Sequence, residues 1–361
     1  MKNLNFYRGK RVLLTGHTGF KGMWLALLLL RAGAEVTGFA LDVPTEGGRE
    51  ALRRLGVLKE LRDLRGDVRD ADALGRAFAA ARPEVVFHLA AQPIVRTSYR
   101  QPVETFAANV MGTVNVLECI RTSDTVRSAL IVTTDKVYEN KEWPWGYREN
   151  EPLLGYDPYS ASKSCAEIAA HSYRQSFFAG SGVRLSTARA GNVIGGGDFA
   201  PDRIIPDCIR AAVRGQVIDI RNPHSTRPYQ HVLEPLSVYL MLAARQAEDD
   251  ALVGAWNVGP DDADCVTTGE LADLFCRTWG AGARWEAHAD GGPHEAHFLK
   301  LDCSKIKSEL GWKPRWHIAE AVEKTVEWAK AWEAGADMRT LTEAQIESFF
   351  AGNHRAGREI G

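Results

Sequence analysis

The sequence predicts an α/β protein whose doubly wound parallel sheet is followed by a smaller mixed C-terminal lobe, and three observations carry that prediction. Short, continuously apolar runs alternate with helix-length stretches through the first half, which is the pattern of parallel strands covered on both faces. A glycine-rich loop separates the first of these runs from the first helix. Beyond residue 190 the elements become shorter and mixed in type. The 361 residues suit two domains, or one large unit with a lobe.

Strands are expected at 12–14, 35–41, just before Gly66, and at 85–89, 129–132 and 183–189. Helical periodicity covers 22–32, 49–62, 71–81, 103–121 and 158–179. Later come helices at 204–214, 233–245, 268–279, 304–310 and 318–333, and one strand at 255–258. The expected division is 1–190, then 191–335 interleaved with the last sheet strands, then a 336–361 extension whose packing the sequence leaves open.

Forty-four basic and forty-six acidic residues give a net charge of -2. Such a balance argues against nucleic acid or a membrane surface as the main partner. Six cysteines with no C-x-x-C spacing read as free thiols in a reducing compartment. The chain enters its first strand too early for a signal peptide, and the apolar run from Trp24 to Leu30 is closed by Arg31, short of a span of ~20 residues. A cytoplasmic protein is expected. His294 and His297 are spaced like metal ligands, but no further ligands cluster beside them in the sequence, so no metal is expected.

The loop reads Thr15-Gly16-His17-Thr18-Gly19-Phe20-Lys21-Gly22. Strand, glycine loop and helix in that order form the Rossmann-type phosphate cradle. Gly16 serves the tight turn, Gly19 lets backbone approach a pyrophosphate, and Gly22 lets the helix sit against the sheet. Thr18, Phe20 and Lys21 complete the set of loop candidates. Asp42 ends the second strand ~20 residues later, where a carboxylate accepts from an adenosine ribose hydroxyl. With no arginine between Asp42 and Arg49 to receive a 2′-phosphate, the expected cofactor is NAD.

Ligands on such sheets sit at the carboxyl ends of the strands. Asp67 and Val68 follow the third strand, where Asp67 either meets an adenine amino group or caps the next helix. Leu89, Ala90, Ala91 and Gln92 follow the fourth, small enough to let a cofactor pass. Thr133 to Tyr138 follows the fifth and gathers hydroxyl, carboxylate and amine.

Tyr159 and Lys163 lie four residues apart on a helical stretch and so leave one face. Ionising a phenol of pKa ~10 near neutrality costs about 4 kcal/mol. A lysine charge at ~6 Å in an effective dielectric of ~20 returns about 2.8 kcal/mol. An oxidised nicotinamide supplies further positive charge. Taken alone, Tyr-x-x-x-Lys is common surface spacing; the glycine loop in the same half gives it weight.

Taken together, the loop, Thr134-Asp-Lys-Val-Tyr138, Tyr159 to Lys163, Arg227-Pro-Tyr-Gln-His-Val-Leu-Glu-Pro235 and 293–302 resemble the extended short-chain dehydrogenase/reductases that act on nucleotide sugars. The resemblance spans nearly the whole chain and is strongest to the branch that dehydrates CDP-D-glucose. It departs from the dTDP-glucose branch, which has Asp-Glu where this chain has Asp135-Lys136.

What the resemblance implies is a 4,6-dehydration in which hydride leaves C4 for NAD and returns to C6. Tyr159 takes the 4-hydroxyl proton, Thr134 bonds the 4-oxygen, Asp135 protonates the departing 6-hydroxyl, and Lys163 holds the nicotinamide ribose. Lys136 either takes the C5 proton or stays charged and stabilises the enolate. Gln92, Asn192, Arg203 and Arg227 are carried over as substrate contacts, with guanidinium suited to phosphate. His88, Arg96, His294 and Glu295 are pocket or packing residues without roles. A homodimer or tetramer is implied through the helices at 103–121 and 158–179. A nucleotide-sugar 4-epimerase would need Tyr159 and Lys163 but neither Asp135 nor Lys136, and a non-catalytic NAD sensor would need none of the four.

Overall fold

The computed structural model describes residues 2–43, 45–288, 291–292 and 296–351. Its centre is a seven-stranded sheet built from β1 (Arg11–Thr15), β2 (Glu35–Ala40), β3 (Arg62–Arg65), β4 (Val85–His88), β5 (Ser128–Thr134), β6 (Arg184–Ala190) and the strand Ala255–Val258. All pairings in it are parallel, and the order across the sheet is β3-β2-β1-β4-β5-β6 with Ala255–Val258 at the far edge. The order reverses between β1 and β4, so a crevice opens there at the carboxyl ends.

The helices follow the residues that can start and stop them. The first, α1 (Phe20–Arg31), begins at Gly19 with no side-chain cap, and Gly22 through Leu29 are all buried. In α2 (Glu46–Leu55) Thr45 caps the start by accepting from the Gly48 N–H, and Gly56 at φ +68° ends it. That stop corrects the expected helix over 49–62: a short 3-10 turn Val57–Lys59 intervenes and Arg62 already begins β3. Asp70 caps α3 (Ala71–Ala81).

The expected helix over 103–121 is three pieces: α5 (Pro102–Phe106), a π turn (Ala107–Met111) and α6 (Gly112–Thr122). A separate α4 (Val95–Arg100), which the sequence did not suggest, precedes them. Next, α7 (Pro158–Tyr173) is capped by Asp157 and runs into a second π turn, Arg174–Phe178. The later helices are α8 (Ile204–Val213), α9 (Leu233–Gln246), α10 (Thr268–Trp279), α11 (Ser304–Leu310), α12 (Ile318–Glu333) and α13 (Met338–Ala351). Only α13 had been left undecided. It packs: Met338, Ile346 and Phe349 are buried, and Arg339 pairs with Glu60 while Arg31 pairs with Glu343 and Glu347.

Three cores result. Helices α1, α2, α9 and α13 share one with one sheet face, and α3, α6 and α7 cover the other. A third core joins α8, α10 and α12 to Ile194, Ile218, Ile220 and Tyr229. It belongs to the C-terminal lobe, whose short strand pairs 193–194 with 230–231, 226–228 with 265–267 and 218–220 with 285–287 were not legible beforehand. No described helix is long and apolar enough to cross a membrane. All six cysteines are free.

Candidate active site

At the carboxyl end of β1 the backbone is packed so closely that side chains are excluded. Gly16 has φ +76°, and a Cβ there would lie 2.7 Å from the Ala90 nitrogen. A Cβ on Gly22 would lie 2.0 Å from the Gly16 carbonyl oxygen. Leu89 and Ala90 donate their N–H groups to Thr15 Oγ1, which fixes the small-residue stretch beside the loop. With Gly19 as an uncapped helix start, free N–H groups and the positive dipole end face outward, and the cradle fits a dinucleotide pyrophosphate.

His17, to which the sequence gave no role, points inward: it is fully buried under Gly38, bonds Asp63 at 2.8 Å, and burial holds its imidazole below the ordinary range. Thr18 donates to the Leu41 carbonyl. Asp42 stands 88% exposed at the end of β2, paired at 3.2 Å with Arg65. Arg65 arrives from the neighbouring strand, outside the window in which arginines were sought. Asp63 and Asp42 both hold it, and Arg49 is spent on the Val43 carbonyl.

Asp67 is not the cap of α3, a place Asp70 takes. It is ion-paired with Arg69, which holds its carboxyl below the usual range. Val68 is buried in the second core against Gly112.

Beyond β5 the backbone turns through Thr134, Asp135 and Lys136 into a cavity of about 410 Å³. Phe20, Lys21, Thr134, Asp135, Lys136, Tyr159, Asn192, Arg203 and Arg227 all line it, so the sequence candidates from both halves converge. Thr134 hydrogen-bonds the Tyr159 phenol and donates to Asp135 Oδ1 at 2.9 Å. The other carboxylate oxygen, Oδ2, is buried with no partner and lies against Gly191. Lys136 reaches Asp135 Oδ1 at 3.6 Å and Asn192 Oδ1 at 3.4 Å.

The Lys163 ammonium donates to the Val132 carbonyl at 3.2 Å and makes no hydrogen bond to the phenol. Burial pushes Tyr159 up to about 12, partly offset by the Thr134 bond, and pushes Lys163 down to about 8. Lys21 is likewise brought to about 7, by burial first and then by Arg203 and Lys163.

Three carried-over substrate contacts are committed within the protein. Gln92 does not line the cavity; its amide bonds Thr105 and the Ile94 N–H. Arg227 lines it, but its guanidinium donates to the carbonyls of Thr226 and Ala296. Arg203 is paired with Asp198 at 2.8 Å. His294 and Glu295 lie outside the described residues. His88 is a buried link between Thr15 and Thr113.

Sequence reading also missed Asn109. In the π turn it accepts from the Gln92 N–H and donates to Ser162 Oγ at 2.9 Å, tying the β4 end to α7. A polar amide inside an apolar helical run was the available signal. Among the described residues no cluster of three or more His, Cys, Asp or Glu could hold a metal ion.

Sheet order, glycine cradle and the Tyr-x-x-x-Lys helix over the fifth strand define a Rossmann-type α/β protein with a cavity at the carboxyl ends of its strands. The chain belongs to the family described as GDP-mannose 4,6 dehydratase, whose pattern it matches over residues 13–325. It is 48% identical over 361 residues to the CDP-glucose 4,6-dehydratase of Salmonella typhimurium, covering 98% of this chain and 100% of that one. Among solved structures it resembles UDP-glucuronic acid 4-epimerase from Bacillus cereus, in complex with UDP-glucuronic acid and NAD. The TM-score is 0.78 at 21% identity, covering 89% of this chain and 99% of that one. The dTDP-glucose 4,6-dehydratase from Streptomyces venezuelae, with NAD and TYD bound, gives 0.76 at 24%, covering 90% and 98%. At such identities the last two show the fold alone.

Proposed function

We propose that this protein is an NAD-dependent nucleotide-sugar 4,6-dehydratase that converts CDP-D-glucose to CDP-4-dehydro-6-deoxy-D-glucose and water. The observation that carries the reading is the convergence of Thr134, Asp135, Lys136 and Tyr159 on one cavity, with one Asp135 oxygen buried there without a partner. The full-length similarity to a CDP-glucose 4,6-dehydratase supports the substrate.

Gly16, Thr18, Gly19, Phe20, Lys21, Gly22 and Asp42 would hold NAD, with Asp67, Val68, Leu89, Ala90 and Ala91 flanking it, and the cofactor would supply reversible two-electron oxidation at C4 and reduction at C6. Tyr159 removes the proton from the 4-hydroxyl, with Thr134 bonding the same oxygen. Burial holds the Tyr159 phenol at about 12, so positive charge beside it favours the phenolate. Lys163 stands one helical turn away on α7, and an oxidised nicotinamide would add positive charge to it. Once C4 is a ketone, the C5 proton becomes acidic, and Lys136 takes it in its neutral form. Asp135 then gives a proton to O6 as the C6–O bond breaks, so water leaves. Asn192, Arg203 and Arg227 line the cavity, and the two arginines reach the diphosphate by giving up Asp198 and the Thr226 and Ala296 carbonyls.

Residues 1–190 serve the cofactor and 191–335 the nucleotide sugar. Of the 336–361 extension, α13 packs on the cofactor half. The exposed apolar residues Val103, Phe106 and Met111 beside α6 and Ile168 and Phe177 along α7 support a homodimer through those helices. Ile168→Asp should give a monomer by light scattering. The free cysteines accord with a cytoplasmic setting.

Incubation with CDP-, dTDP-, GDP- and UDP-glucose, followed by the ultraviolet band that 4-ketosugars develop in alkali, tests both reaction and base. CDP-glucose should give the band. A C4 epimer without ketosugar would replace this reading with that of an epimerase.

A further inference from the structure

Beneath the site lies a charged cluster that none of the roles above uses. Glu167 follows Tyr159 and Lys163 at the same four-residue spacing along α7, so the three form one stripe. Its buried carboxylate accepts from Thr133 Oγ1 at 2.5 Å, Thr187 Oγ1 at 2.8 Å and Arg189 Nη2 at 2.8 Å. Arg189, also buried, spends its other terminal nitrogen on the Tyr138 hydroxyl and the Glu149 carbonyl. Lys163 holds the carbonyl of Val132 and Glu167 the hydroxyl of Thr133, the next residue. Both therefore grip the strand end that presents Thr134 and Asp135.

We propose that Glu167 is a positioning residue for the reaction: it keeps the Lys163 ammonium charged and seats the end of β5 under Tyr159. The proposal rests on the reading of Tyr159 and Lys163 given above. Its physical basis is a count of buried charge. Lys163 interacts with Glu167 on α7, Lys21 on α1 and His88 on β4; Tyr159 lies one helical turn before it, Asp135 and Lys136 follow the strand end it holds, and Arg189 on β6 pairs with Glu167.

Burial opposes the lysine charge and the Glu167 carboxylate favours it. With that carboxylate neutralised, Lys163 and Arg189 would share a dry site as two cations. A guanidinium keeps its proton under all ordinary conditions, so the lysine would surrender its own.

The test is the titration of Lys163 in the free protein, followed by NMR of lysine 13Cε resonances, with Lys163→Met identifying the signal. Glu167→Gln preserves shape and removes the charge. The Lys163 midpoint should fall by about one pH unit or more, and the alkaline limb of kcat/KM should move down with it. Glu167→Asp should restore most of both.

Glu167→Ala removes the charge without leaving an amide behind and should lower the Lys163 midpoint in the same way. That measurement decides the matter if Glu167→Gln does not fold. A Lys163 midpoint unmoved in folded Glu167→Gln or folded Glu167→Ala overturns the proposal. Neither titration uses substrate, so a wild-type protein that makes no ketosugar would remove the dehydratase reading and still leave Glu167 decided.

Discussion

The carboxyl ends of β1 and β5 are neighbouring regions of one crevice, yet they are shaped by opposite means. At β1 the site is made by leaving atoms out: Gly16 against Ala90, Gly22 against the Gly16 carbonyl, and Gly38 against the His17 ring each lack the room for one Cβ. At β5 the site is crowded with side chains, from Thr133 to Lys136 over the strip of Tyr159, Lys163 and Glu167. The first end can hold a rigid ligand by backbone alone. The second can move protons because its charges are dry and balanced. A cofactor cradle is thus vulnerable to any added atom, and a proton-transfer site to any altered charge.

The strongest way to separate the two ends is Tyr159→Phe. It should lower kcat about 1000-fold while leaving NAD affinity within about threefold, as read by ketosugar formation and fluorescence titration. Retained turnover would place the proton transfer elsewhere. Gly22→Ala should do the reverse, weakening NAD by about 100-fold through overpacking, and calorimetric titration would show it. Unchanged binding would mean that the cradle is not where the pyrophosphate rests.

Asp135→Asn should cut dehydration about 100-fold while deuterium from solvent still enters C5, visible by mass spectrometry. Loss of both would join the C5 and O6 steps that are here assigned to different residues.

The smallest effect concerns the support between the two ends. Burial lowers the His88 imidazole to about 3, so the folded protein holds it neutral while the unfolded chain takes up a proton below ~6.5. Its contribution is complete above that value and is lost as pH falls. From about pH 7 to about pH 5 this site alone should remove about 2 kcal/mol. His88→Gln should shorten the acid slope of denaturant-derived stability by one proton; His17 and His231, held neutral in the same way, maintain the rest. An identical slope would mean that His88 does not titrate on unfolding.

This difference also explains what could be read beforehand. The β1 end is local in sequence: strand, glycines and helix are contiguous, and α3, α10, α11 and α12 likewise matched their periodicity to the residue. The convergence of Thr134 to Lys136 with Tyr159 was legible because both stand at element ends of known direction. Arg65 beside Asp42, Arg189 beside Glu167 and Asn109 beside Ser162 join residues 23, 22 and 53 positions apart, and no local pattern encodes such partners. Nor could sequence tell that the Arg227 guanidinium would be taken by carbonyls, or that Gln92 would be bonded to Thr105 instead of facing the cavity.

The strand Ala255–Val258 completes the sheet at β6, and the Tyr7 hydroxyl bonds the Leu240 carbonyl. A nascent chain must therefore emerge past Leu240 before its opening segment can settle, and past Val258 before the sheet is complete. Until then β6 displays an unpaired edge, open to pairing with another chain. Truncated forms ending before that strand should clump on release from the ribosome, so the natural unit for expression or dissection is close to the entire polypeptide.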